Sequence, residues 1–259
     1  MPTEPRHTAP AALFVFAHPD DEFGVFQTIL DCLQRGMRVR CAYFTTSATP
    51  ALSARRAAES RRVLAALGVA AHDIAFPGAE LAIVDASLPA RLAPAAAWLA
   101  AWLGAAGTPQ LLCAPAWEGG HHDHDALHAL MVDCARRAGL LQITKQYSLY
   151  NHHGCIGPFF KVLSPLVLNG KIQARVIPWK NRLRFCRYCL SYPSQRRTWL
   201  GLFPFVLLHY ARHGVQTLQP VSSERTLQRP HPGVLYYEQR AFYTWEQMCE
   251  QLRAWRAQC

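Results

Sequence analysis

Over its first 150 residues this chain alternates short apolar runs with longer amphipathic or Ala-rich segments, and that alternation limits its fold more than any other feature. Leu13 to Ala17, Arg38 to Thr45, His72 to Phe76, Gln110 to Ala114 and Tyr147 to Tyr150 read as strands. Several are apolar at consecutive positions, as expected where both faces of a strand are covered. Between them, Glu22 to Arg35, Ser53 to Leu67, Ser87 to Leu103 and Asp123 to Ala138 read as helices. Gly36 and Gly68 close the first two, and Ser53 opens the second. Strand and helix in this order build βαβ units with right-handed crossovers. The expected fold is α/β, a Rossmann-like three-layer sandwich with a mostly parallel sheet.

A chain of 259 residues can bury one large core or two small ones. Residues 1–12, with Pro2, Pro5 and Pro10, read as a disordered or extended N-terminus. Residues 13–259 read as one domain, with an α/β core over 13–150 and a C-terminal cover over 151–259 that forms the pocket walls. The apolar run Ala11 to Ala17 is too short for a secretory signal, and Trp199 to Leu208, broken by Pro204, falls short of the ~20 residues that span a bilayer. Nine cysteines, an odd number, fit reduced thiols better than a disulfide framework. Cys186 and Cys189 form a lone CxxC, which reads as two unrelated thiols on a helix. Together these features point to a soluble, cytoplasmic protein.

Ligands of open α/β sheets bind beyond the carboxyl ends of the strands. Two polar clusters fall there: His18-Pro19-Asp20-Asp21-Glu22 after the first strand, and Glu118 to His124 after the fourth. Zinc takes nitrogen and oxygen ligands tetrahedrally and, in catalytic sites, leaves one position for water. His18 and Asp21, three residues apart on a tight turn, can converge on one ion, with His121, His122 or His124 as the third ligand. Asp20 is then free to accept a proton from water. Taken alone, Asp20, Asp21 and Glu22 are also what the positive end of a helix dipole attracts, and the histidine loop could be a surface cluster.

The run Ala17-His18-Pro19-Asp20-Asp21-Glu22 resembles the AHPDDE motif of the PIG-L/LmbE-like N-deacetylases, which include deacetylases of glucosaminyl-phosphatidylinositol, of mycothiol and bacillithiol precursors, and of glycosylated antibiotics. The second motif of that family, HPDH, is similar to His121-His122-Asp123-His124, with histidine in the proline slot. Arg56 to Glu59 with Leu67-Gly68, Phe76-Pro77-Gly78, and Lys180 with Ser194-Gln195 are similar to further family elements. The resemblance implies a single deacetylase domain that hydrolyses an N-acetyl amide on an amino-sugar conjugate. It implies Zn2+, or another divalent ion such as Fe2+, held by His18, Asp21 and His124. Asp20 is implied as general base, and His121 as the group that stabilises the oxyanion and can protonate the leaving amine. Arg56 and Glu80 are candidate substrate contacts, with Asp85 as the alternative to Glu80. Arg56 and Glu59 could instead be an exposed pair on one helix face.

The net charge of +10 is concentrated: from Cys134 through Ser223 there is no Asp or Glu, and thirteen Lys and Arg residues. A field of that sign attracts anions. The expected partner is therefore an anionic small molecule or glycoconjugate, phosphorylated, nucleotide-linked or lipid-linked, and Trp199 to Leu208 adds the option of peripheral membrane contact. One rival reading is a non-catalytic nucleic-acid-binding protein, which explains the charge but not the histidine clusters, and no recognised nucleic-acid module is present. Another is a metal-dependent hydrolase of a different bond.

Overall fold

The computed structural model describes residues 10–258. In chain order its elements are β1 (Ala11–Phe16), α1 (Phe26–Gln34), β2 (Arg38–Tyr43), α2 (Pro50–Leu67), β3 (Ile74–Ala75), the single turn α3 (Pro77–Glu80), α4 (Leu92–Gly104), β4 (Pro109–Pro115), α5 (His122–Arg137), β5 (Thr144–Tyr147), β6 (Tyr150–Asn151), β7 (Lys161–Val162), β8 (Gln173–Val176), α6 (Trp179–Cys189), α7 (Arg196–Arg212), β9 (Val215–Pro220), α8 (Tyr236–Gln239) and α9 (Trp245–Arg256). Seven strands form the main sheet in the order β3-β2-β1-β4-β5-β9-β8. The first five are parallel, and β9 and β8 extend the sheet antiparallel.

All six residues of β1 are buried because both of its faces are covered. Phe14 and Phe16 pack with Phe26, Leu64, Phe185 and Val206 on the side of α1, α2, α6 and α7. Leu13 and Val15 pack with Leu99, Leu130, Met248 and Trp255 on the side of α4, α5 and α9. Successive β1 side chains thus anchor opposite layers of the sandwich. Strand order reverses between β1, whose crossover leads to β2, and β4 on its other flank. That reversal opens a crevice at the carboxyl ends of β1 and β4.

The structure shifts several boundaries. β1 begins at Ala11, two residues before the expected start of the core at 13, and the rest of the expected N-terminal segment, residues 1–9, lies outside the described residues. The fifth strand is Thr144–Tyr147 rather than Tyr147 to Tyr150, because the Leu149 and Tyr150 backbone N–H groups leave the ladder to donate to the buried Glu118 carboxylate at 2.6 and 3.0 Å. A 3-10 turn, Asp21–Gly24, precedes α1, where a continuous helix from Glu22 was expected. The second helix starts at Pro50, with Thr49 rather than Ser53 as its cap. Val234 to Tyr237, which reads as a strand, instead leads into α8, with the Glu238 carboxylate accepting from Leu235 N at 2.9 Å. The eight described cysteines are free thiols, Cys186 and Cys189 included.

Candidate metal centre and active site

The chain leaves β1 in a tight turn that the sequence can make only with help. His18 N donates to Asp21 Oδ2 at 2.7 Å and Asp21 N to His18 O at 3.2 Å. Asp20 sits at φ 111, a left-handed conformation that costs a non-glycine residue energy and persists only where its surroundings enforce it. Glu22 supplies that enforcement. It is fully buried, accepts from Asp20 N at 2.9 Å through one oxygen and from the Tyr192 hydroxyl at 2.8 Å through the other.

The second cluster begins α5. His121 is its N-cap, and its Nδ1 accepts from Asp123 N at 3.2 Å. Gly120 passes so close to the Tyr150 carbonyl that a Cβ there would collide with it. His124, one turn into the helix, faces back to β1.

His18, Asp21 and His124 are buried and converge. His18 Nδ1 lies 3.2 Å from His124 Nε2 and 3.5 Å from Asp21 Oδ2, and His124 Nε2 lies 3.1 Å from Asp21 Oδ1. Ligands held tetrahedrally by zinc, at bonds of about 2.0–2.1 Å, stand about 3.3 Å apart, so this N, N, O set fits such an ion. The other edge of His18 agrees: Nε2 faces Asp123 Oδ2 and Asp85 Oδ1, each at 3.1 Å. A proton on Nε2 leaves a lone pair on Nδ1 pointing into the cluster, the usual carboxylate–histidine arrangement behind a metal ligand. Asp123 is itself fixed by Ala86 N and Leu88 N at 2.6 and 3.0 Å.

Burial alone would lower the His18 pKa, but Asp85, Asp21 and Asp123 outweigh it and raise the pKa well above its ordinary value. For Asp21, burial is outweighed by His124 and His18, which hold its carboxyl well below the usual range. The Asp20 carboxyl is raised well above its usual range by burial and by the neighbouring Asp21 and Glu22. Its Oδ2 accepts from Trp199 Nε1 of α7 at 3.1 Å. Burial, reinforced by His18, pulls His121 down to about 3, so its ring is neutral at neutral pH, not the cation that would best stabilise an oxyanion. With Nδ1 accepting from the backbone, the ring proton of His121 resides on Nε2.

Arg56 lies beside this cluster. It approaches Asp85 Oδ2 at 3.4 Å and donates to Gln195 Oε1 at 2.6 Å, while Gln195 Nε2 donates to Pro19 O at 3.1 Å. Glu59 is buried and accepts from Ser194 N and Oγ. The exposed Arg56–Glu59 pair that the sequence allows is thus replaced by contacts to residues 194–195. A cleft of about 560 Å³ opens here, lined by Pro19, Thr46, Ser47, Arg56, Arg61 and Val84.

Glu80 does not join the site. It is exposed and accepts from Trp98 Nε1 at 3.0 Å, because α3 turns it toward α4. Asp85 is the carboxylate that reaches His18 and Arg56. His122 points away from the cluster: its Nε2 bonds Ala86 O at 3.1 Å and its ring stacks on His121 and Tyr243, with centroids 4.4 and 4.7 Å away. His128 is a core residue that donates to Pro115 O at 2.8 Å. Glu238 is held by Arg229 and by Leu235 N and Trp245 N. The sequence reading missed Asp123, whose only signal was its place in the histidine cluster, and Tyr192 and Trp199, which have no local signal at all.

The switch-point crevice and these two motifs lie within the part of the chain that is similar to a known family. Residues 13–135 match the family model described as PIG-L: GlcNAc-PI de-N-acetylase. No curated protein sequence matches the chain. Among solved structures the fold is similar to the A40926 pseudoaglycone deacetylase Dbv21, at 19% identity over 83% of this chain and 98% of that one, with a TM-score of 0.62. It is also similar to the zinc-inhibited form of teicoplanin deacetylase Orf2, at 15% identity over 82% and 98%, TM-score 0.60. N,N'-diacetylchitobiose deacetylase from Pyrococcus horikoshii is similar at 16% identity over 83% of each chain, TM-score 0.54. At these identities the likeness establishes the fold.

Proposed function

We propose that this protein is a divalent-metal-dependent N-deacetylase that hydrolyses the acetamide of an amino-sugar conjugate to acetate and a free amine. The observation that carries this reading is the convergence of His18, Asp21 and His124 at ligand spacing with the buried Asp20 carboxylate beside them. The PIG-L match over 13–135 and the deacetylases among the similar structures support it.

His18, Asp21 and His124 are the ligands in this account, with zinc as the preferred ion and Fe2+ as the other candidate. When bound, such an ion polarises the amide carbonyl and lowers the pKa of water from 15.7 toward ~7. Asp20 accepts the proton of the attacking water, its carboxylate held in place by the Trp199 indole N–H. As the carbonyl becomes a tetrahedral oxyanion, neutral His121 donates its Nε2–H to that oxygen, a contact of the kind that contributes ~3 kcal/mol. The C–N bond then breaks, and the amine nitrogen takes the proton held on Asp20. Arg56, which lines the cleft, and Asp85, which it approaches, meet sugar hydroxyls in this account. Arg56, Arg61 and the acid-free segment 134–223 favour an amino sugar that carries phosphate or another anion. Residues 13–259 act as one unit in this account, since β8 and β9 complete the main sheet and Trp199 reaches Asp20.

Paired substitutions test the roles. Asp20→Asn is expected to retain stoichiometric zinc and to lose turnover by about 10²–10⁴-fold, the usual contribution of a general base. His124→Ala is expected to lose zinc itself, as measured by metal analysis of the purified protein. Full turnover in Asp20→Asn would remove the base assignment, and full zinc content in His124→Ala would remove the ligand set.

A further inference from the structure

We propose that the outer face of α6 and α7 docks the protein on an anionic membrane surface. α7 is apolar on both sides. Trp199, Leu202, Val206 and Tyr210 are buried against the sheet side, as any covering helix requires. On the opposite side, Leu200, Leu207 and Leu208 are 76%, 47% and 60% exposed, and no charged residue interrupts the face between Arg197 and Arg212. The adjoining helix α6 adds Trp179 and Leu183, and Leu190 caps its C-terminus, each 63% exposed. Leu190, Leu200, Phe203 and Pro204 line one hollow of about 360 Å³ with Arg196, which joins the exposed leucines where α6 ends and α7 begins. Isolated exposed leucines are ordinary, but a contiguous apolar face marks an interaction site.

The rim of this face selects the partner. Lys180, Arg187, Arg196, Arg197 and Arg212 surround it, and none forms an ion pair among the described residues. No Asp or Glu occurs between Cys134 and Ser223 to neutralise them. A second copy of the chain would bring like charge against like. A nucleic acid would satisfy the arginines and leave the leucines in water. A bilayer with anionic headgroups satisfies both, taking the leucines into the acyl boundary and the arginines at the phosphates. No helix among the described residues is long and apolar enough to cross a membrane, so the contact is peripheral. The inference does not depend on the hydrolytic reading, because binding is read without turnover.

The test is co-sedimentation with vesicles of phosphatidylcholine alone or with about one third phosphatidylglycerol, at low and high salt. The full chain is expected to sediment with the anionic vesicles at low salt and to remain in solution with the neutral ones. The exposed triple variant Leu200→Gln, Leu207→Gln, Leu208→Gln and, separately, Arg196→Gln with Arg197→Gln are each expected to weaken partitioning by about tenfold or more. Their circular dichroism and zinc content are expected to match the parent, since these side chains face outward. Equal binding to neutral vesicles, or binding that survives the leucine substitutions, would overturn the proposal. So would absence of vesicle binding together with a dimer that the leucine variant dissociates, which would make this face a contact between copies.

Discussion

Asp20 is held by more of the molecule than its position in a six-residue motif suggests. Its backbone is in a left-handed conformation secured by Glu22, and its carboxylate is secured by an indole N–H from a helix 179 residues further along. Trp199→Phe should keep the ring packing against Phe23 and Tyr192 while removing that donor. We expect kcat to fall by about tenfold, equivalent to one hydrogen bond of ~1.4 kcal/mol, with KM and zinc content unchanged. Steady-state kinetics with metal analysis check this, and an unchanged kcat would show that Trp199 only packs. The motif residues were legible in the sequence because chemistry restricts their type and spacing. Tyr192 and Trp199 were not, since a residue that acts through one long-range hydrogen bond leaves no local pattern. Glu80 and Asp85 were both available to the sequence reading, and the single turn α3 decides between them by swinging Glu80 toward Trp98.

Among elements, α2 has a role that helical periodicity could not reveal. Its Glu59 anchors the 3-10 turn Pro193–Gln195, and its Arg56 aligns Gln195, which in turn holds the Pro19 carbonyl beside Asp20. Glu59→Ala leaves the Ser194 donors without a partner and should cost about 1–3 kcal/mol of stability, read from chemical denaturation. Loss of less than a few tenths of a kcal/mol would return Glu59 to an exposed-face role. The loop after β4 depends on Glu118. Burial raises its carboxyl to about 8, although hydrogen bonds from Leu149, Asn151 and Tyr150 pull the other way. Because the folded pKa lies above the unfolded value of 4.5, its contribution to stability is fully present below pH 4.5 and is lost as pH rises through about 8. Denaturation midpoints measured across that range should fall in the parent protein and flatten in Glu118→Gln; equal slopes would contradict the assignment. The same carboxylate explains why the fifth strand was misplaced from the sequence: the apolar run through Leu149 is real, but its backbone is claimed by a side chain 31 residues away.

At the scale of the whole molecule, the parallel core was legible because a strand covered on both faces is apolar where it is covered: β1 is apolar throughout, and β2 and β4 are apolar over Cys41–Tyr43 and Leu111–Pro115. β8 was not legible, since all four of its residues are exposed and its place at the sheet edge is set by pairing with β9. The large basic segment was legible as charge, but only the fold shows that Arg187, Arg196, Arg197 and Arg212 are exposed on the two helices that carry the exposed leucines. The bond proposed to break at the switch-point crevice is the acetamide C–N bond. The most direct measurement quantifies acetate and primary amine released by the zinc-loaded protein from N-acetylglucosamine, its phosphate, its nucleotide conjugate and a lipid-linked form. The account predicts equal amounts of the two products from at least one of these, abolished by a chelator and restored by zinc. Release of phosphate without amine, or no amine from any of the four by protein shown to hold zinc, would contradict it.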